Sequence, residues 1–79
     1  MIVVLRASGL RVVIYRHDHE PPHVHVDRGS SSAKFWIENV SLARNVGLSA
    51  KELGEIQRLV REHRKQLLEA WHEFFGARR

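Results

Sequence analysis

Apolar and polar residues alternate along most of the first half of the chain and then switch to a helical period. The run from Ile2 to Arg16 holds two β-branched stretches around Ser8-Gly9. Glycine accepts positive φ, so this pair predicts a hairpin turn. Both faces of that hairpin carry apolar residues, Val3 and Leu5 on one and Ile2 and Val4 on the other. Such strands are expected to lie centrally in a sheet or against a partner. A second hairpin is expected from His23 to Asn39, turning at Gly29-Ser30. That turn fixes the register: Asp27 faces Ser32, Val26 faces Ala33, His25 faces Lys34, Val24 faces Phe35 and His23 faces Trp36. Val24, Val26, Ala33, Phe35 and Ile37 then share the core face, while His23, His25, Asp27, Lys34, Trp36 and Glu38 share the outer one. Residues 40–46 form either a short fifth strand or an irregular edge.

The helical period is announced by Leu48-Ser49-Ala50-Lys51-Glu52-Leu53, which has the form of a capping box. Ser49 is the cap, Glu52 its reciprocal partner, and Leu48 and Leu53 the apolar staple. Leu53, Ile56, Val60, His63, Leu67, Ala70 and Phe74 recur at steps of three and four, widened by Leu59, Trp71 and Phe75. Gly76 is the expected stop. One helix from Ser49 to Phe75 would be roughly 40 Å long at 1.5 Å per residue. A five-strand sheet is only ~24 Å across. The turns bearing Trp71, Phe74 and Phe75 therefore either overhang as an aromatic interface or cross the sheet diagonally. The fold expected is α+β. It is an antiparallel sheet of four or five strands, built from two hairpins, with one long C-terminal helix packed on one face.

Composition narrows the classes. The 79 residues suffice for one small domain, residues 1–79. A core of this size supplies only ~3–5 kcal/mol, which favours oligomerisation or a bound partner. There is no cysteine, hence neither disulfides nor thiolate ligands. No apolar run approaches the ~20 residues needed to span a bilayer. The N-terminus also lacks the charged and apolar regions of a signal peptide. A cytoplasmic protein without membrane association is expected. The net charge of +4 mildly favours anionic partners.

The densest chemistry lies in residues 17–26, where His17, His19, His23 and His25 flank Pro21-Pro22 beside Asp18 and Glu20. His23 and His25 are two apart on a strand, so both rings leave one face. That is one way to offer a metal two neutral imidazoles. If Glu20-Pro21-Pro22 folds the chain back, His17 and His19 converge on the same point. Asp18, Glu20 or Asp27 can then supply a carboxylate. Nitrogen and oxygen donors favour zinc or another divalent transition metal. Against this, histidines beside a proline turn are often merely solvated. The proline pair lacks two backbone donors, ends strand pairing and stiffens the approach to His23. Whether Glu20-Pro21 or Pro21-Pro22 is cis stays open. His63, on the apolar stripe, reads as a core or boundary group, and His72 as surface.

Other chemistry is thin: no nucleotide-binding glycine loop, no nucleophile elbow and no placed carboxylate pair. A His with an acid could serve acid–base hydrolysis, with His23 and His25 the candidate catalytic residues. Arg58, Arg61 and Lys65 share a helix face, with Arg64 nearby and Arg78-Arg79 at the end, and could meet phosphates. Interleaved Glu55, Glu62 and Glu69 make an ordinary salt-bridged surface the simpler reading.

Three pieces, EPPHVHV, AKFWIENVSLARNVGLSAKEL and RLVREHRKQLLEAWHEFFG, together cover nearly the whole chain and resemble a small prokaryotic family, domain of unknown function 4160. The resemblance implies a fold unit without a settled activity. Family members are suspected of toxin–antitoxin-like roles in small operons. The residues matching its motif are Pro21, Pro22, His23, His25, His63 and Trp71. The resemblance also implies that positions before Glu20 vary, so His17 and His19 are expected to be features of this chain and His23 and His25 the shared candidate pair.

Three functions are thus in view. The first is a binding module whose outer sheet face, His23, His25, Lys34 and Trp36, engages a protein partner, a toxin–antitoxin-type companion or a second copy. The second is a metal-dependent or acid–base hydrolase acting on RNA or DNA through His23 and His25. The third is nucleic-acid binding by the basic helix face.

Overall fold

The computed structural model describes residues 1–76. Five strands, β1 (Ile2–Ala7), β2 (Leu10–Ile14), β3 (His23–Arg28), β4 (Ser31–Trp36) and β5 (Ser41–Val46), precede two helices, α1 (Ala50–Glu62) and α2 (Arg64–Phe75). The sheet is an antiparallel meander in the order β1-β2-β3-β4-β5. Ser8 and Gly9, with φ of 51° and 77°, make the first turn. Both central residues at positive φ suit the right-handed twist of the flanking strands. Across the second hairpin every expected pairing is present, from His23 opposite Trp36 to Asp27 opposite Ser32. Residues 41–46 form the fifth strand.

Of the two alternatives for the first hairpin, a central position holds for β2 but not for β1, which is an edge strand. Val12, Val13 and Ile14 of β2 are fully buried. In β1 the pairing shifts between Val3 and Leu5. This bulge lets both Val4 and Leu5 pack on the core. The bulge is why apolar residues on both parities did not mean a strand buried on both faces.

The expected single helix is two. The capping box at Ser49 and Glu52 is present, and Leu48 is buried. At His63, however, φ is −109° and ψ 19°. The His63 ring Nδ1 lies 3.0 Å from the Leu59 carbonyl, which also accepts the His63 backbone N–H at 3.1 Å. A side chain competing for a helix carbonyl is a known cause of bending. One residue on, the Arg64 side chain donates to the Glu38 carbonyl at 2.9 Å and ties the bend to the β4–β5 turn. The aromatic end does not stand free: Trp71 is buried, and Phe74 and Phe75 are partly buried against the core.

That core joins Ile56, Val60, Leu67 and Trp71 of the helices to Val12, Ile14, Val24, Val26, Phe35 and Ile37 of the sheet. Each such side chain stabilises by ~1.5–3 kcal/mol on burial. Trp71 of α2 packs at the start of β3, where the paired histidines begin.

Candidate metal centre at the start of strand β3

The loop from Tyr15 to Pro22 folds back on the first residues of β3. Its anchor is a local turn: the Asp18 N–H donates to the Tyr15 carbonyl at 3.0 Å, and the Tyr15 N–H donates to Asp18 Oδ2 at 2.9 Å. This leaves Oδ1 of Asp18 aimed at the strand. It lies 3.1 Å from His25 Nε2 and 3.2 Å from His23 Nε2. The three ligand atoms lie within 4.8 Å of one another. Glu20-Pro21 is the cis bond in this loop.

His23 was expected on the open outer face. It is instead buried, with 4% exposure. Trp71 covers it at 5.1 Å between ring centroids and Trp36 meets it edge-on at 5.6 Å. Helix α2 supplies that cover, and the strand pattern could not foresee it. Trp71 is itself held by its indole N–H, which donates to Glu20 Oε2 at 3.2 Å. His25 is half-buried and packs edge-on against Tyr15 at 4.8 Å. Lys34 and Trp36 lie half-buried on the outer face, with Lys34 Nζ 4.9 Å above the Trp36 ring.

His17 and His19 do not join the cluster; both are exposed. The turn from Tyr15 to Asp18 brings the Asp18 carboxylate inward and leaves His17 and His19 at the surface. Of the three acids considered, Asp18 supplies the carboxylate. Glu20 is committed to Trp71, and Asp27 forms a 3.0 Å ion pair with Arg11. His63 stays at the helix bend, apart from the cluster. Tyr15 and the Glu20–Trp71 bond were not singled out from sequence. Only the local Tyr15-x-x-Asp18 spacing, which permits a side-chain-closed turn, hinted at the first.

The electrostatics of the cluster follow from its hydrogen bonds. Burial pushes the Asp18 carboxyl up. The Tyr15 N–H and the His25 and His23 rings outweigh that and hold it below its ordinary value. Asp18 is thus an anion, and both its oxygens only accept. His23 Nδ1 lies 2.9 Å from the Pro21 carbonyl. A carbonyl also only accepts, so Nδ1 must carry the hydrogen. His23 Nε2 then faces the carboxylate at 3.2 Å, a separation that a shared proton or a cation between the two atoms can hold. A carbonyl bonded to the far ring nitrogen, as Pro21 is to His23 Nδ1, is the kind of contact that orients a metal-binding imidazole.

The basic helix residues Arg58, Arg61 and Lys65 are exposed, with Glu55 and Glu62 exposed among them. Arg78 and Arg79 lie outside the described residues. No helix among the described residues is long and apolar enough to cross a membrane.

Fold and site together define a small α+β domain in which a five-strand meander and a bent helical layer enclose two histidines and a carboxylate. The family model of the domain of unknown function DUF4160 matches residues 9–72, and the chain belongs to that family. The match takes in Asp18, His23, His25, Trp36 and Trp71. No curated protein and no solved structure matches the chain.

Proposed function

We propose that this domain binds one divalent transition metal through His23 Nε2, His25 Nε2 and Asp18 Oδ1. Zinc is the leading candidate, and metal-assisted hydrolysis is the reaction class. The observation that carries the reading is the convergence of three ligand atoms: Asp18 Oδ1, His23 Nε2 and His25 Nε2 lie within 4.8 Å of one another. The Pro21 carbonyl engages His23 Nδ1 and leaves Nε2 facing the carboxylate that His25 also faces. The nitrogen–oxygen separations of 3.1 and 3.2 Å suit one ion. Ligands bonded to zinc at ~2.0–2.1 Å lie roughly 3.0–3.4 Å apart at the edges of the polyhedron. Three protein ligands leave a coordination position open, as in catalytic rather than structural sites. A bound ion there would lower the pKa of a coordinated water towards neutrality. His25, the most exposed of the three ligands, marks the side from which a substrate would approach.

Calorimetric titration of the purified, tag-free domain with zinc, nickel and manganese tests this. One site per chain is expected, with binding lost in Asp18→Asn and in His25→Ala. Circular dichroism confirms that both variants stay folded. A cobalt spectrum typical of nitrogen and oxygen ligands would support the same assignment. No heat with any of the three metals would sink the reading and leave Asp18 as a clamp that fastens the loop to β3.

A second reading, a protein-binding module, is favoured by β5. It is an edge strand, and Leu42 and Val46 are 45% and 47% exposed. Such an edge can take a further strand from a partner, a toxin–antitoxin-type companion or a second copy. Light scattering across a concentration series, with Leu42→Lys beside the native chain, addresses the second copy. A mass that stays monomeric throughout removes it.

A further inference from the structure

The outer sheet face carries a second feature beside the cluster. A hollow of about 320 Å³ lies against His25, lined also by Ser32, Ala33, Lys34, Arg44 and Val46. No carboxylate lines it. The register places Lys34 directly between His25 on β3 and Arg44 on β5. Two cations directly opposite across a strand pair repel and destabilise the sheet. Among the described residues neither Lys34 nor Arg44 forms a salt bridge.

The other hairpin supplies an internal comparison. Arg6 and Arg11 are also directly opposed, on β1 and β2. There the charge is answered: Arg11 donates to Asp27 at 3.0 Å. Lys34 and Arg44 have no such answer. The nearby acids are spent, Asp18 on the two rings and the Tyr15 N–H, Asp27 on Arg11. Trp36 holds the Lys34 ammonium over its ring instead of neutralising it.

We infer that this hollow is an anion subsite that seats a phosphate group between Lys34 and Arg44, with the Ser32 hydroxyl as a further donor. It thereby sets a phosphate ester against the open position beside His25. This names the substrate class of the proposed metal site and rests on that reading. A tetrahedral oxyanion suits two cations and a hydroxyl because it accepts from several directions at once. Arginine can address two of its oxygens and lysine a third.

The test is a nuclear magnetic resonance titration of the nitrogen-15-labelled, metal-free domain with inorganic phosphate and, separately, dimethyl phosphate, both at constant ionic strength set by chloride. Saturating shifts confined to Ser32, Lys34, Arg44 and His25 are expected. They should weaken at least tenfold in Lys34→Gln/Arg44→Gln. Arg44→Gln alone, on an exposed edge position, serves if the double variant does not fold. Tighter binding of inorganic phosphate points to monoesters, and tighter binding of dimethyl phosphate to diesters. Shifts that never saturate, or that survive the substitutions, overturn the subsite. A second arm repeats the titration on the nickel-loaded domain, where tighter phosphate binding is expected. Unchanged affinity with nickel bound would overturn the link to the metal. A domain that binds phosphate but no metal would sink the metal reading alone, so the two failures are told apart.

Discussion

Replacing Asp18 separates the two ways in which the cluster could be held together. The carboxylate accepts from the Tyr15 N–H at 2.9 Å and faces His25 and His23 at 3.1 and 3.2 Å. Alanine removes all of this and strands the Tyr15 N–H. Hydrogen bonds to a charged group contribute ~1.5–3 kcal/mol, and an unpaired buried donor costs ~1–3 kcal/mol. A total loss of about 2–4 kcal/mol is expected for Asp18→Ala, a large part of the ~3–5 kcal/mol that so small a core supplies. At ~4–8 °C per kcal/mol, the melting temperature should fall by roughly 10–30 °C. Asparagine behaves differently. Its oxygen can keep the Tyr15 N–H, and its amide can donate to the Nε2 lone pair of neutral His23. Metal-free Asp18→Asn should therefore lose about 1 kcal/mol or less. Metal then discriminates further. At a hundred times the dissociation constant, a ligand that binds only the folded state adds ~2.7 kcal/mol. The native chain should melt more than ~10 °C higher under those conditions, and Asp18→Asn should not move. Thermal melts followed by circular dichroism, in chelator and in nickel, read all of this. Equal damage from asparagine and alanine in chelator would refute the expectation that a neutral amide can take the place of the carboxylate between the two rings.

Three other outcomes follow from single contacts. Trp71→Phe keeps most of the apolar cover on His23 but removes the bond to Glu20, so urea unfolding should register a loss of about 1–2 kcal/mol. A weaker metal titration should accompany it. Gly47→Ala should cost more than about 1 kcal/mol, because φ is +83° there and an added Cβ would lie 2.8 Å from Ser31 Oγ. An unchanged melting temperature would contradict that geometry. The Glu52 carboxyl is held below its ordinary value chiefly by the Ser49 N–H. A depressed carboxyl stabilises above its unfolded value and loses that contribution as pH falls through the folded one. The acid limb of stability should therefore be shallower in Glu52→Gln, and an identical limb in both proteins would exclude it.

The strands were legible because their cues are local. A glycine turn and strict alternation fixed the β3–β4 register, and Ser49 with Glu52 fixed the helix start. The bulge in β1 and the bend at His63 were not legible. Each depends on a contact made only after the sheet and helix pack, at Leu59 and Glu38 in the case of the bend. At the site, His-x-His spacing placed both rings on one face. The sequence offered three acids without ranking them. What ranks them is tertiary: Glu20 is claimed by Trp71 and Asp27 by Arg11.

That ranking also explains why the helix bend bears on the chemistry. Trp71 reaches both halves of the site from the helical layer. Its indole N–H holds Glu20 of the loop, and its ring covers His23 of the strand. The loop presents Asp18 only two residues before Glu20, and Pro21 fixes the His23 tautomer one residue after it. The break at His63, with Arg64 tied to the Glu38 carbonyl, separates α1 from the α2 segment that bears Trp71. The site is therefore assembled from one contiguous stretch, the loop and the start of β3, closed over by a tryptophan far along the chain. Loosening the Arg64 tether, far from any ligand atom, should weaken metal affinity without altering the ligands themselves. Arg64→Ala in the same calorimetric titration tests this, and native affinity in that variant would show that the loop holds its shape without the helix.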